Sequence, residues 1–297
     1  MHEGELELTD DTAGRLIARR FPEFAHMPLR RIPAAGTVNT IIRIGDDLAA
    51  RFPLTGETEA ALTAEADALS EFAAVCPVAA PRPVGIGAAS SDYPSAWSAQ
   101  TWVPGETASH DRHATSDSLA FDVAGLIATL RATDARGRAF DGQGRGGVLT
   151  DHDEWIALCV ERSRHLLDAA RVRTLWEALR SLPSCGPDVM SHRDLTPFNL
   201  LVSEDRLVGV LDGGGFGAAD PALDLVAAWH LFDATRRRVV RDRLGSGDVE
   251  WMRGAAWALQ QAMGLGWYYE DSHPAMSDLG LSTMHRLLDD AELSSLG

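Results

Sequence analysis

The stretch Ser191-His192-Arg193-Asp194-Leu195-Thr196-Pro197-Phe198-Asn199 carries the most concentrated chemistry in the 297-residue chain. It leads into the apolar run Leu200-Leu201-Val202, a polar turn at Ser203-Glu204-Asp205-Arg206, and a second run from Leu207 to Leu211. Two short apolar runs around a polar turn predict a β-hairpin. A hairpin folds back on itself, so Asn199 at its start and Asp212 at its end are expected side by side. A neutral oxygen ligand beside a carboxylate suits Mg²⁺, which takes oxygen donors and keeps waters and phosphates in its shell. Asp194 precedes the hairpin on a loop, where its carboxylate can accept the proton of a substrate hydroxyl. These are the parts that phosphoryl transfer from a nucleotide requires.

Taken singly, each residue has an ordinary explanation. An Asp before a helix is commonly a cap, and a loop His is commonly a hydrogen-bonded brace. The combination is harder to set aside. Asparagine occurs in this chain only at Asn39 and Asn199, so its place shortly after Asp194 carries weight.

Composition narrows the chemistry further. Hydrophobic residues make up 45% and charged residues 24%, the balance of an ordinary soluble globular protein. With 27 basic against 43 acidic residues, the net charge is −16, which argues against nucleic acid or an anionic membrane surface as a partner. All of the basic residues are arginine. Without lysine, no Schiff base, lysine general base or P-loop lysine is available. Cys76, Cys159 and Cys185 form no CxxC pair, so neither a disulfide framework nor a zinc knuckle is encoded. The acidic start and the lack of a bilayer-length apolar stretch lead to the expectation of a cytoplasmic protein. Nothing in the sequence points to an obligate protein partner.

Periodicity places the remaining elements. Asp10-Asp11-Thr12 offers caps for a helix carrying Leu16, Ile17 and Phe21. Leu29 to Ile32, Thr40 to Ile44 and Leu48 to Phe52 read as strands of an antiparallel meander, and Glu59 to Val75 as a helix. A further strand is expected over Ala96 to Val103, with a break at Pro104-Gly105. Helices are then expected over Ser118 to Thr133, Asp153 to Leu167 and Arg171 to Leu182, and again beyond Asp220. Between the first two of these, Gly137 to Gly147 is rich in glycine and reads as an exposed loop.

With these residues in place, the chain resembles the aminoglycoside phosphotransferase family, whose fold is similar to that of protein kinases. The resemblance is strongest from Ser191 to Leu225 and includes Asp220-Pro221-Ala222-Leu223-Asp224-Leu225. It implies an α+β bilobal fold: an N-terminal antiparallel sheet with one long helix (residues 1–103, ending in the hinge) and a mainly helical C-terminal lobe (104–297). It implies ATP or GTP as donor and Mg²⁺ as cofactor. Asp194 would be the catalytic base, His192 the brace of its loop, Asn199 and Asp212 the metal ligands, and Asp224 a support for the loop. Gly36, Thr37 and Asn39 would lie over the nucleotide phosphates. Leu48-Ala49-Ala50-Arg51 stands where the family has V-A-x-K, so Arg51 would replace the phosphate-pairing lysine, with Glu65 as its partner. Backbone groups of Gln100, Thr101, Trp102 and Val103 would hydrogen-bond the purine, and Ala49 and Leu201 would sandwich it.

Two departures from the family pattern stand out. Asp212 is followed by Gly213-Gly214-Gly215 rather than an aromatic residue, and the loop spells His-Arg-Asp rather than His-Gly-Asp. Protein kinases share the His-Arg-Asp spelling, but the chain passes directly from Asp212 to Asp220 with no long activation segment, which favours a small acceptor over a peptide. Acidic and aromatic residues of the C-terminal part, Asp153, Glu154, Trp229, Tyr268, Glu270 and Asp271, are candidate walls for a cationic, hydroxylated antibiotic such as an aminoglycoside. A metabolic small-molecule kinase of the same fold, and a nucleotide-binding pseudoenzyme, are the alternatives.

Overall fold

A computed structural model describes residues 5–32 and 38–295, which divide into two compact units. The first comprises the described parts of Met1–Ala74, together with Ala79–Pro104 and Leu211–Gly214. The second comprises Val75–Val78, Gly105–Val210 and the described part of Gly215–Gly297.

In the first unit, strands β1 (Leu29–Ile32), β2 (Asn39–Ile44), β3 (Leu48–Pro53), β4 (Pro83–Gly87) and β5 (Trp97–Thr101) form an antiparallel sheet in the order β1-β2-β3-β5-β4. Helices α1 (Asp10–Arg20) and α2 (Glu59–Val75) accompany it. The cap of α1 is Thr9, whose hydroxyl accepts from the Thr12 N–H, rather than the expected Asp-Asp-Thr run. Leu16, Ile17 and Phe21 of this segment bury against Ile42, Ile44, Phe52 and Trp97, the apolar face that period-two patterning produces. Burying such side chains stabilises by roughly 1.5–3 kcal/mol each, and the Phe52 and Trp97 rings stack at 4.8 Å.

In the second unit, strands β6 (Glu106–Thr107), β8 (Leu200–Ser203) and β9 (Arg206–Val210) form one small sheet, while β7 (Val189–Ser191) pairs with β10 (Gly217–Ala219). The β8–β9 hairpin turns at Glu204 and Asp205, both with positive φ (48° and 60°), the conformation that matches the twist of a tight hairpin. Around these strands lie α3 (Asp117–Arg131), α4 (Asp153–Arg162), α5 (Ala169–Leu179), α6 (Val226–Leu231), α7 (Ala234–Leu244), α8 (Asp248–Tyr268), α9 (Pro274–Leu288) and α10 (Ala291–Ser294). Helix α8 is the central member and packs against α4, α5, α6 and α9. The helix expected to run to Leu167 stops at Arg162. A new one starts at Ala169 because the Asp168 carboxylate caps it, accepting from the Ala170 and Arg171 N–H groups. Among the described residues, no helix is long and apolar enough to cross a membrane.

Candidate functional site

In the first unit the sheet presents Arg51 from β3 toward α2. Its guanidinium bridges two carboxylates, Glu65 Oε1 at 2.5 Å and Asp212 Oδ1 at 2.9 Å. Burial works against the charge of Arg51, but Asp212 and Glu65 outweigh it and hold its pKa above the ordinary arginine value. The fork geometry of arginine allows one side chain to serve both partners, a task that a lysine ammonium would perform without fixed directions. Asp212 adopts a left-handed backbone (φ 60°) and keeps its carboxylate partly exposed, with Arg51 on Oδ1.

The glycines after Asp212 have a packing reason. A Cβ on Gly213 would stand 2.2 Å from the Phe72 ring, and one on Gly214 would stand 2.2 Å from Glu65 Cγ. Neither position needs glycine for its φ. The segment runs so close to α2 that side chains do not fit, and the same closeness brings Asp212 to Arg51. The family's aromatic residue at the first of these positions is excluded here by Phe72.

Of the nucleotide-binding residues expected from the sequence, Gly36 and Thr37 lie outside the described residues. Asn39 opens β2 opposite Pro53, and Ala49 is buried opposite Gln100. The Thr101 N–H donates to Arg82 O and the Trp102 N–H to Asp47 O, so neither of those donors is available to a purine. Val103 is buried at the end of this unit. Leu201 is buried in the second unit beside Gly105, where a Cβ would approach the Leu201 Cβ to 2.9 Å.

The second unit builds the loop that carries Asp194. The Asp224 carboxylate accepts the N–H groups of both His192 (2.9 Å) and Arg193 (3.1 Å), fixing the backbone immediately before Asp194. The His192 ring is buried, and its Nδ1 accepts the Asp194 N–H at 3.3 Å. Arg193 takes a positive φ (71°), a conformation that a non-glycine residue holds only when its surroundings enforce it. Its guanidinium donates to Ala218 O, Gln143 O and Asp141 Oδ1, and lies over the Phe140 ring. Asn199 donates its amide N–H groups to Asp194 O (2.8 Å) and Oδ2 (3.3 Å), which leaves its side-chain oxygen as the group suited to a cation. Below the loop, Asp220 receives the Arg253 guanidinium and the Trp257 N–H in the core.

The candidate acceptor walls separate into two groups. Trp229 is completely buried under Arg237, and Asp153 is tied to Arg180 and Trp176, so both serve the packing of the unit rather than a ligand surface. Glu154, Tyr268, Glu270 and Asp271 are exposed, Glu270 pairing with His165 at 3.0 Å. Rings run in edge contact from Tyr268 through Tyr269 and His273 to Phe198, which lies between Asp194 and Asn199.

Sequence reasoning missed Arg145. From the glycine-rich segment it reaches Asp194 Oδ1 at 2.8 Å and donates to Gln261 Oε1 at 2.7 Å. Its sequence setting, Gly144-Arg145-Gly146-Gly147, carried only the signal of a loop.

Comparisons with known proteins identify the family. The model of the phosphotransferase enzyme family (APH) matches residues 7–257. An aminoglycoside 3'-phosphotransferase of Escherichia coli is 38% identical over 60 residues, a span of 20% of this chain and 22% of that protein. Among solved structures, the GDP and kanamycin complex of APH(2")-IIia aligns with a TM-score of 0.65 at 18% identity, covering 92% of this chain and 97% of that one. A macrolide 2'-phosphotransferase from Brachybacterium faecium aligns with a TM-score of 0.61 at 20% identity, covering 92% and 96%. With the family model spanning most of its length, the chain belongs to the phosphotransferase enzyme family.

Proposed function

We propose that the protein transfers the γ-phosphoryl group of ATP or GTP to a hydroxyl of a small molecule of the antibiotic class represented by the aminoglycoside and macrolide relatives. The observation that carries this reading is the Asp194 carboxylate, held by Arg145 on one oxygen and Asn199 on the other, on a loop whose N–H groups Asp224 fixes. A carboxylate so oriented aligns an acceptor hydroxyl and takes its proton as the phosphoryl group moves in line. Arg51 supports the donor phosphates, and Glu65 sets its direction.

Asn199 and Asp212 are the residues that would hold Mg²⁺. Their donor set fits, since the Asn199 amide nitrogen is committed to Asp194 and Arg51 takes only one Asp212 oxygen. When bound, the ion supplies charge neutralisation on the donor phosphates. The pairing Leu200↔Val210 supports this assignment, because Asn199 immediately precedes Leu200 and Asp212 follows two residues after Val210, at the open end of the hairpin.

The exposed carboxylates of Glu154, Glu270 and Asp271 and the net charge of −16 support an acceptor that carries cationic groups. Incubation with Mg²⁺, ATP or GTP, and kanamycin or a macrolide, followed by mass analysis, tests the reading. A product carrying one added phosphate supports it. If neither antibiotic is modified while a primary metabolite with a free hydroxyl is, the antibiotic assignment fails and a metabolic kinase takes its place.

A further inference from the structure

The charge around Asp194 is not that of an open anionic site. Arg145 places a guanidinium 2.8 Å from its carboxylate, so the base is neutralised by a cation that belongs to the protein. The loop that carries this cation is fastened on both sides of it. Before Arg145, the Arg193 guanidinium holds Gln143 O and Asp141, and the Asp188 carboxylate accepts the Phe140 N–H at 2.7 Å. After it, His152 Nε2 lies 3.3 Å from Gly146 O. Gly146 and Gly147 take positive φ (135° and 89°) and fold against the Phe140 ring, where a Cβ on either would meet the ring within 3.1 Å. Glycine here shapes a tight strap around Phe140 that aims Arg145 at the base.

The guanidinium nitrogen that faces Asp194 is also held from α8. Gln261, buried on α8, offers its carboxamide oxygen to the guanidinium, and behind it stands His230, fully buried with Nδ1 on the Thr283 hydroxyl at 2.8 Å. Burial and then the positive charge of Arg145 keep His230 neutral, so His230 itself adds no cation to this row.

We propose that Arg145 is a specificity-determining residue: it is the resident counter-ion of the catalytic carboxylate, and it selects acceptors that carry no ammonium group next to the hydroxyl to be phosphorylated. An acceptor with a cation at that place would compete with an anchored guanidinium for the same carboxylate and meet like charge. Cationic groups elsewhere on the acceptor remain compatible with Glu154, Glu270 and Asp271. This inference rests on the phosphotransferase reading above.

The test compares two probes, kanamycin, whose hydroxyls stand among ammonium groups, and 4-nitrophenyl β-glucoside, hydroxylated and uncharged. For each, the concentration that half-changes nucleotide turnover is measured with Mg²⁺ and ATP or GTP. The proteins are the unmodified enzyme, Arg145→Ala, Arg145→Lys, and Arg15→Ala, which removes the same charge from an exposed face of α1. Arg145→Ala is expected to shift the ratio of the two concentrations in favour of kanamycin by about tenfold or more, the scale of a lost like-charge contact. Arg145→Lys and Arg15→Ala are expected to retain the original ratio. A ratio that Arg145→Ala leaves unchanged, a shift of equal size in Arg15→Ala, or no response to either probe in any variant overturns the assignment. Absence of nucleotide turnover and phosphoryl transfer in every protein, the unmodified one included, instead refutes the phosphotransferase reading on which it rests.

Discussion

Arg51 and Asp212 meet in a 2.9 Å ion pair across 161 positions of the chain, and the same guanidinium holds Glu65. In a protein without lysine, one arginine therefore joins the strand, the helix and the segment that carries the proposed metal ligand. Replacing it has two distinguishable consequences. Arg51→Ala is expected to lower kcat/KM on the order of 10²-fold, since charge-assisted bonds to both carboxylates and to the donor phosphates are lost. Arg51→Lys keeps the charge and loses the fork, so it should fall between the two. Steady-state kinetics at varied nucleotide concentration read this, and equal rates for all three proteins would remove Arg51 from the donor site.

The glycine run after Asp212 makes a stability prediction with an internal control. Gly213→Ala and Gly214→Ala force a Cβ into Phe72 and Glu65, and each should destabilise the fold by roughly 1–3 kcal/mol. Gly125, inside α3 with nothing within 4 Å of its would-be Cβ, should instead gain about 1 kcal/mol on replacement by Ala. Thermal or denaturant unfolding of the three variants compares them directly. A neutral Gly213→Ala would mean that the segment does not pack on α2 as described.

Acid should weaken the fold through His230. Burial holds its pKa down to about 3 against an ordinary value of 6.5, so between those values the unfolded chain binds a proton that the native state refuses. The contribution of neutral His230 is thus fully present above pH 6.5 and declines as the pH falls toward 3. From pH 6.5 to pH 5 the loss amounts to about 2 kcal/mol. Unfolding free energy measured across this range should slope accordingly, and His230→Gln should flatten the slope. A slope identical in both proteins would assign the acid sensitivity elsewhere.

Asp224 offers a further test of how the loop carrying Asp194 is held. Asp224→Asn replaces one acceptor oxygen by a donor that faces the His192 and Arg193 N–H groups. It is expected to cost about 1–3 kcal/mol of stability and to lower kcat more than it changes the nucleotide KM. A fall in nucleotide affinity with kcat intact would contradict the support role.

How much of this was legible in the sequence follows from the kind of signal each residue leaves. The strands and α2 were readable because Ile42, Ile44, Phe52, Leu62, Leu69 and Phe72 follow periods of two and 3.6. The pairing of Arg51 with Glu65 could be inferred from family spacing. Its bond to Asp212 depends on tertiary closeness, which Gly213 and Gly214 permit but no local pattern announces. Trp229 read as an acceptor wall because a Trp near a catalytic motif attracts that interpretation, yet its surroundings on α6 bury it completely. Arg145 was invisible for the opposite reason. It lies in a segment whose glycines read as freedom, whereas the anchors that aim it, Arg193, Asp188 and His152, are scattered along the chain.

The central claim is that Asp194 is the base that activates the acceptor hydroxyl. It is tested most directly by measuring the rate of phosphoryl transfer to an accepted substrate for Asp194→Ala beside nucleotide binding by the same variant. The account predicts a fall in kcat on the order of 10²-fold or more with nucleotide affinity largely retained. An unchanged kcat would contradict it.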